Sequence, residues 1–166
     1  MDTPQSVAEL IGAAQATAKT AEAEIAQLDV LMTQQATEPQ IKDRAAAVRA
    51  IEAAAIDAFT LFEARMQHHF KRGPFSRKLK AKLLDAGQAD LAGRVHDYYL
   101  AVNVLKHGTG ASYRELLSKP TPLFAVIRTE EINTDAPTGL VDVSAPGFFD
   151  GLASTLLEAH DFLENR

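Results

Sequence analysis

Apolar and small residues recur every three or four positions between residues 7 and 32, and this spacing constrains the fold more than any other feature. On a helix that reaches about Gln35, the repeat forms one continuous and narrow stripe. A narrow stripe suits antiparallel packing against one neighbouring helix. The stripe consists of Val7, Leu10, Ile11, Ala14, Ala18, Ala21, Ile25, Leu28, Leu31 and Met32.

Proline and glycine divide much of the remaining chain into further helices. Thr37-Glu38-Pro39 interrupts the first stripe, because the residue before a proline avoids the helical conformation. Gly73 with Pro74, Gly87 and Gly108 are the next breaks. The predicted helices cover about 40–71, 75–86 and 88–107, then one short turn at 113–117 and a last amphipathic helix from Pro146.

One segment departs from the helical pattern. Residues 123–127 (LFAVI) form a dense apolar run of strand length, and residues 140–143 can pair with it across a polar loop. The sequence therefore predicts a mainly α fold, an up-and-down bundle of four to five helices with a small β-hairpin near residues 123–143. No repeat or linker divides the chain, so we expect residues 1–166 to form a single helical-bundle domain.

Charge and composition exclude several classes of protein. The formal net charge is −5, so a nucleic acid would have to bind a local basic patch rather than the surface as a whole. The absence of cysteine excludes disulfides, thiolate metal sites and cysteine nucleophiles, and it fits a reducing compartment. No signal-peptide pattern and no run of ~20 apolar residues is found, so we expect a cytoplasmic protein without a membrane partner.

Two stripes run along the predicted fourth helix when its residues are placed at helical spacing. The apolar stripe, which we expect to face the core, consists of Leu91, Val95, Tyr98, Val102 and Leu105. The second stripe is polar and consists of His96, Tyr99, Asn103 and His107, with Lys106 at its edge. Lysine and glutamate usually occupy a solvated face, so this polar stripe is the first candidate for a functional site.

His107 has two interpretations. As a catalytic residue it would act as an acid or base, since the pKa of histidine allows both protonation states near neutral pH. Asn103, one turn earlier, would then orient a phosphate or fix the tautomer of the imidazole. Alternatively, His107 caps the helix, where the macrodipole favours a cation, and Asn103 bonds to a neighbouring helix.

Two glutamates lie within the apolar stripe of the second helix. A carboxylate that faces the interior needs a hydrogen-bond donor or a cation, or it takes up a proton. Glu63 would meet Lys106 or His107 if the second and fourth helices are neighbours. The other interpretation is that Glu52 and Glu63 reach solvent at the rim of the stripe.

The segment from Val102 to Gly108 (VNVLKHG) resembles the signature helix of HEPN domains, which are helical bundles in toxin–antitoxin, defence and RNA-processing systems. Ribonucleases of that family carry an arginine, often an asparagine after it, three further residues and a histidine. Asn103 and His107 match the last two positions, and Val102 stands where the arginine would be. The resemblance implies RNA or nucleotide binding and a site shared by two subunits, hence a homodimer. Valine cannot stabilise a phosphorane charge, so it implies at most a degenerate ribonuclease.

Six cations within residues 71–82 form the one basic segment of the sequence, and we expect it to contribute binding residues. They are Lys71, Arg72, Arg77, Lys78, Lys80 and Lys82. A solvated face is the alternative. His68 and His69 precede this segment, but neighbouring helical residues point about 100° apart, so we expect no metal site and no cofactor there.

Three functions remain open at this point. The first is a HEPN-like bundle that engages RNA or a nucleotide, and whether it catalyses a reaction stays open. The second is a non-catalytic helical interaction or dimerisation protein that uses its long first helix. The third is a bundle that binds a small molecule at His96, Tyr99 and Asn103.

Overall fold

The structure is a computed structural model that describes residues 5–128 and 139–165. Within these residues the structure is mainly helical, which confirms a helical bundle, although it has six α-helices where four to five were predicted. The elements are α1 (Val7–Met32), α2 (Glu38–Met66), a 3₁₀ turn (Gln67–His69), α3 (Phe75–Asp85), α4 (Ala89–His107), α5 (Ala111–Ser118) and α6 (Pro146–Glu164). None of these helices is long and apolar enough to cross a membrane.

The two longest helices form an antiparallel hairpin. Arg44 near the start of α2 binds Asp29 near the end of α1, with 2.6 Å between Nε and Oδ1, and Arg65 at the end of α2 donates to the carbonyl of Gln5. Each helix begins with a reciprocal capping box, at Ser6 for α1 and at Thr37 for α2. The polar break predicted before Pro39 is therefore also the start signal of α2.

The hairpin is covered by α6, which contacts α1, α2 and α4, while α3 and α5 pack against α4. Alanines of α1 and α2, among them Ala18 and Ala55 with no exposed surface, let these helices approach closely. Larger aromatic rings fill the core between α4 and α6. Tyr98 of α4 packs against Phe148 of α6 and against Phe124, with ring centroids 5.8 and 5.6 Å apart. The bundle therefore has one continuous apolar core.

The predicted β-hairpin near residues 123–143 is not seen in the described residues. The two segments meet there at one isolated antiparallel bridge between Val126 and Val141. Pairing does not extend toward Phe124 because its ring is buried in the helical core, which turns the chain away from an extended path. Residues 129–138, which include most of the predicted polar loop, lie outside the described residues.

Two predicted boundaries on the long helices were also wrong. The second helix was expected to continue to Lys71, but α2 ends at Met66 and a 3₁₀ turn follows. The backbone is extended at Phe70, whose ring packs edge-on against Phe75 at 5.5 Å instead of continuing the stripe of α2. On α1 the buried stripe stops at Leu28, and Leu31 is 56% exposed.

Glu52 occupies the interior position that was one of its two predicted alternatives. Its side chain is 6% exposed, and Oε2 accepts a hydrogen bond of 3.4 Å from the backbone N–H of Gly139. Its other carboxylate oxygen has no hydrogen-bond partner within the described residues. Burial raises the pKa of Glu52, whereas the Gly139 amide and the charge of Arg49 lower it.

Candidate functional site

Three residues of the polar stripe of α4 line one cleft. Tyr99, Asn103 and His107 face the chain that follows α4, and the space between them measures about 330 Å³. The opposite wall consists of Gly108, Gly110, Ala111 and Ser112. All five residues of the predicted apolar stripe on α4 are buried, so the separation of the two faces is confirmed.

Gly108 and Gly110 shape the cleft through the backbone. Gly108 has φ +76°, a conformation that residues with a Cβ rarely adopt, and it ends α4 directly after His107. Gly110 is the N-cap of α5 and supplies no side chain to bond the first amides of that helix. The first N–H groups of a helix have no carbonyl partner within it, so the start of α5 presents donors beside the cleft.

One side-chain hydrogen bond joins the two walls. Nδ2 of Asn103 donates to Oγ of Ser112 over 3.2 Å. Both side chains are partly buried, so the bond fixes the start of α5 against α4. This contact agrees with the interpretation in which Asn103 bonds to a neighbouring helix. The same contact also holds Asn103 beside the cleft.

His107 is exposed, and its imidazole makes no hydrogen bond or ion pair with any residue that the structure describes. The backbone closes the end of α4 instead, through the N–H of Gly108 and the carbonyl of Val104, 2.8 Å apart. His107 therefore does not cap α4 with its side chain. It lines the cleft with an exposed side chain.

His96 belongs to the same stripe but has a different role. Its Nε2 lies 2.6 Å from Oε2 of Glu115 on α5. Its ring is 6.3 Å from that of Tyr99, and Tyr99 in turn lies 6.3 Å from Phe59 of the core. His96 holds α5 against α4 and is not one of the residues that line the cleft. The structure therefore gives this predicted binding residue a structural contact.

Glu63 connects the end of α4 to the basic segment. Burial raises the pKa of Glu63, and the nearby charge of Lys106 lowers it. The buried hydroxyl of Ser76 at the start of α3 also favours the charged carboxylate, although it reaches full hydrogen-bond geometry with no described residue. The charge of Lys106 thus acts on Glu63, but no ion pair within 4.0 Å joins the two side chains in the described part of the chain.

Four of the six cations of the basic segment are exposed, and Lys80 and Lys82 are half-buried. Lys71, Arg72, Arg77 and Lys78 are all exposed, as a phosphate-binding surface requires. The two phenylalanines of the segment are not free for stacking on a base. Phe75 is buried, and Phe70 packs against it while Lys82 lies 5.5 Å above its ring.

The position that carries an arginine in HEPN ribonucleases is closed to the cleft. Val102 is 2% exposed and belongs to the core. Arg94, the arginine of α4, is held by Asp90 on its own helix and by Thr155 and Glu158 on α6. Neither residue supplies a cation to His107.

Ser112 and the open start of α5 were not predicted. The sequence offered a signal, since Gly110 before the short helical segment is an N-cap residue without a side chain to bond the first amides. That signal does not show which neighbouring helix the start will face. Only the turn at Gly108 directs it toward Asn103.

Comparisons of this chain with protein-family models, with curated proteins and with solved structures find no match. The HEPN resemblance thus stays a prediction that rests on Asn103, His107 and the residues between them.

Proposed function

We propose that this protein binds a phosphate-bearing ligand, an RNA or a nucleotide, in the cleft between α4 and α5. The observation that carries the proposal is His107, an exposed imidazole without a hydrogen-bond or ion-pair partner among the described residues, which lines a cleft of about 330 Å³ together with the start of α5. Amide donors at a helix start together with the helix dipole favour an anion at that place. A protonated imidazole adds a donor and a positive charge.

Each wall of the cleft supplies a group suited to a nucleotide. The N–H groups of Ala111 and Ser112 would donate to a phosphate, whereas that of Gly110 already donates to the carbonyl of Gly108 over 2.9 Å. Asn103 offers an amide oxygen to a sugar or a base while its nitrogen bonds Ser112. Tyr99 adds a partly buried aromatic ring to the lining. These groups favour a nucleotide over a purely apolar small molecule, because Asn103, His107 and Ser112 bring polar side chains to the lining.

A longer RNA would continue from the cleft onto the basic segment. Lys106 follows the cleft on α4, and Glu63 and Ser76 connect it to the start of α3. The exposed cations Arg72, Arg77 and Lys78 then offer contacts to a phosphate backbone. This path provides a local positive surface on a chain whose net charge is −5.

We propose binding rather than RNA cleavage as the activity. Val102 is buried, so the chain lacks the cation that HEPN ribonucleases place beside their histidine. The proposed protein is therefore a degenerate HEPN-like domain, for example a component of a toxin–antitoxin or defence system, and a homodimer would bring two clefts together.

Fluorescence anisotropy with a labelled 12-nucleotide single-stranded RNA at low salt tests this proposal, with adenosine triphosphate as competitor. We expect His107→Ala to weaken binding about tenfold, the loss of one charge-assisted hydrogen bond. His160→Ala removes a histidine from α6 and serves as the matched control, with unchanged affinity expected. Absence of RNA and nucleotide binding by the unaltered protein, or equal affinity of the two variants, would refute it.

One observation favours the alternative, a non-catalytic helical interaction or dimerisation protein. Val30 and Leu31 are 70% and 56% exposed at the end of α1, and they line a groove of about 540 Å³ with Ala26 and Gln27. Ile41, 51% exposed, lies near the start of α2 at the same end of the hairpin. An apolar end of this kind suits a second copy of the chain.

Sedimentation velocity over a hundredfold range of concentration tests the alternative. A dimer that Leu31→Asp dissociates, while Glu24→Gln on the same helix leaves it intact, would support it. A monomer at every concentration would exclude it.

A further inference from the structure

Three ligand-bearing side chains converge where α2 and α6 end. Nε2 of His69 lies 3.2 Å from Oε1 of Glu164, and the rings of His68 and His69 have centroids 4.2 Å apart. One ligand atom from each of the three side chains lies within 4.8 Å of the others. The cluster is separate from the cleft and takes no part in the proposed function.

The 3₁₀ turn that replaces the end of α2 creates this arrangement. Buried Met66 anchors the turn on one side, and buried Leu163 anchors the last turn of α6 on the other. Neighbouring histidines point about 100° apart on an uninterrupted helix, but the 3₁₀ turn interrupts the helix at His68 and His69, so the expectation of no metal site there does not hold for this geometry. At the free end of a helix the side chains can rotate toward each other, and here their rings are adjacent.

Glu164 supplies the carboxylate of the cluster. A metal ion binds a carboxylate in its ionised form and an imidazole in its neutral form, so an ion would take the place of the proton shared by His69 and Glu164. His160, one turn before Glu164 on α6, is the other titratable group next to this site, and its Nδ1 lies 3.4 Å from Oδ1 of Asp161.

We propose that His68, His69 and Glu164 bind a divalent transition-metal ion of the zinc type. Two imidazole nitrogens and one carboxylate oxygen suit Zn²⁺, Ni²⁺ and Cu²⁺ rather than Mg²⁺ or Ca²⁺, which prefer oxygen ligands. Bonds of about 2.0–2.1 Å in a tetrahedron place ligand atoms roughly 3.3 Å apart. The 3.2 Å between His69 and Glu164 already meets this requirement.

Binding of the ion connects the end of α2 to the end of α6. His68 has to turn by a small amount so that its nitrogen joins the other two, which its exposed position allows. Three protein ligands leave the fourth position to water. Because the folded chain binds the ion and the unfolded chain does not hold these residues together, the ion stabilises the fold.

Isothermal titration calorimetry with Zn²⁺ on protein that carries no histidine tag tests the proposal. We expect one ion per chain, and we expect His68→Ala, His69→Ala and Glu164→Gln each to weaken binding at least tenfold. His96→Ala removes a histidine that is also paired with a glutamate, and it should leave the affinity for Zn²⁺ unchanged. Thermal melting should show a rise in Tm with Zn²⁺ that the three variants lose.

Three results would overturn the proposal. One is the absence of Zn²⁺ binding at concentrations up to about 1 mM, because a dissociation constant above that value is too weak for a specific site. Another is an affinity that His69→Ala or Glu164→Gln leaves unchanged. The third is normal binding by His68→Ala, which would leave a two-residue contact instead of the three-ligand site. All three results are independent of RNA binding at the cleft.

Discussion

The side-chain amide of Asn103 on α4 donates a hydrogen bond to the hydroxyl of Ser112 in the first turn of α5, with 3.2 Å between nitrogen and oxygen. This bond holds the start of α5 at a fixed distance from the face of α4 that carries His107. Because the cleft lies between these two elements, its width depends on the bond.

Ser112→Ala is expected to weaken RNA binding by widening the cleft, with only a small loss of fold stability. Loss of one partly buried hydrogen bond costs about 1 kcal/mol of unfolding free energy. RNA affinity should fall about threefold to tenfold, because the donors of α5 are no longer held in place. Urea denaturation and anisotropy measure the two effects. Thr109→Ala, exposed in the same turn, is the control, and an equal loss of affinity in both variants would contradict this role.

Glu63→Gln is expected to strengthen RNA binding. The carboxylate of Glu63 offsets the charge of Lys106, and its removal leaves the lysine free to attract phosphate. One such interaction near the surface is worth about 1 kcal/mol, or roughly fivefold in affinity. The slope of log affinity against log salt concentration should become steeper by about one unit, as one more counterion is released on binding. The exposed Glu24→Gln on α1 should change neither quantity, and weaker binding by Glu63→Gln would show that the carboxylate does not act on Lys106.

Glu52→Gln is expected to stabilise the protein above mildly acidic pH. Burial raises the pKa of Glu52 above its ordinary value of 4.5, so the folded state prefers the protonated form. Stability from this group is present below pH 4.5 and is lost as the pH rises through the raised pKa. The neutral variant escapes this loss and can still accept the hydrogen bond of Gly139.

The difference in Tm between Glu52→Gln and the unaltered protein is the quantity to measure, from pH 4 to pH 8. It should grow with pH and reach a few degrees, equivalent to about 1 kcal/mol. Asp57→Asn changes an exposed carboxylate on the same helix and should show no such trend. A Tm difference that stays constant with pH would contradict the claim that burial raises the pKa of Glu52.

Gly151→Ala is expected to destabilise the core. A Cβ at position 151 of α6 would collide with the hydroxyl of Tyr98, which is buried and bonded to the carbonyl of Phe148 at 3.3 Å. Overpacking of this kind costs about 1–3 kcal/mol. Burial also raises the pKa of Tyr98 to about 12, so the hydroxyl stays neutral throughout the measurement.

Two further variants make the Gly151 prediction specific. Gly147→Ala, on the same helix with open space at its Cβ position, should not reduce Tm. Tyr98→Phe combined with Gly151→Ala should recover part of the loss, because the colliding oxygen is gone. If the double variant is as unstable as the sum of the single changes, the collision is not the cause.

The sequence predicted features that depend on near neighbours in the chain. Helical spacing separated Tyr98 and Val102 from Asn103 and His107 because both faces belong to one helix. The same spacing could not show that Ser112 would lie against Asn103, since a turn after the helix decides this. Nor could it show that His69 would meet Glu164, 95 residues away.

The failed predictions have related causes. An apolar run with branched residues suggested a strand at Val126. The ring of Phe124 from the same run packs into the helical core instead, and one isolated bridge is seen among the described residues. Leu31 continued a helical stripe, yet burial also requires a neighbour, and at that end of the hairpin no described residue covers it.

The central claim is that a phosphate group binds between His107 and the start of α5, and NMR of ¹⁵N-labelled protein tests it most directly. Titration with adenosine monophosphate should shift the amides of residues 108–112 and the ring of His107 most, while adenosine alone should leave them in place. Shifts confined to residues 71–82, or equal shifts with adenosine, would contradict the claim.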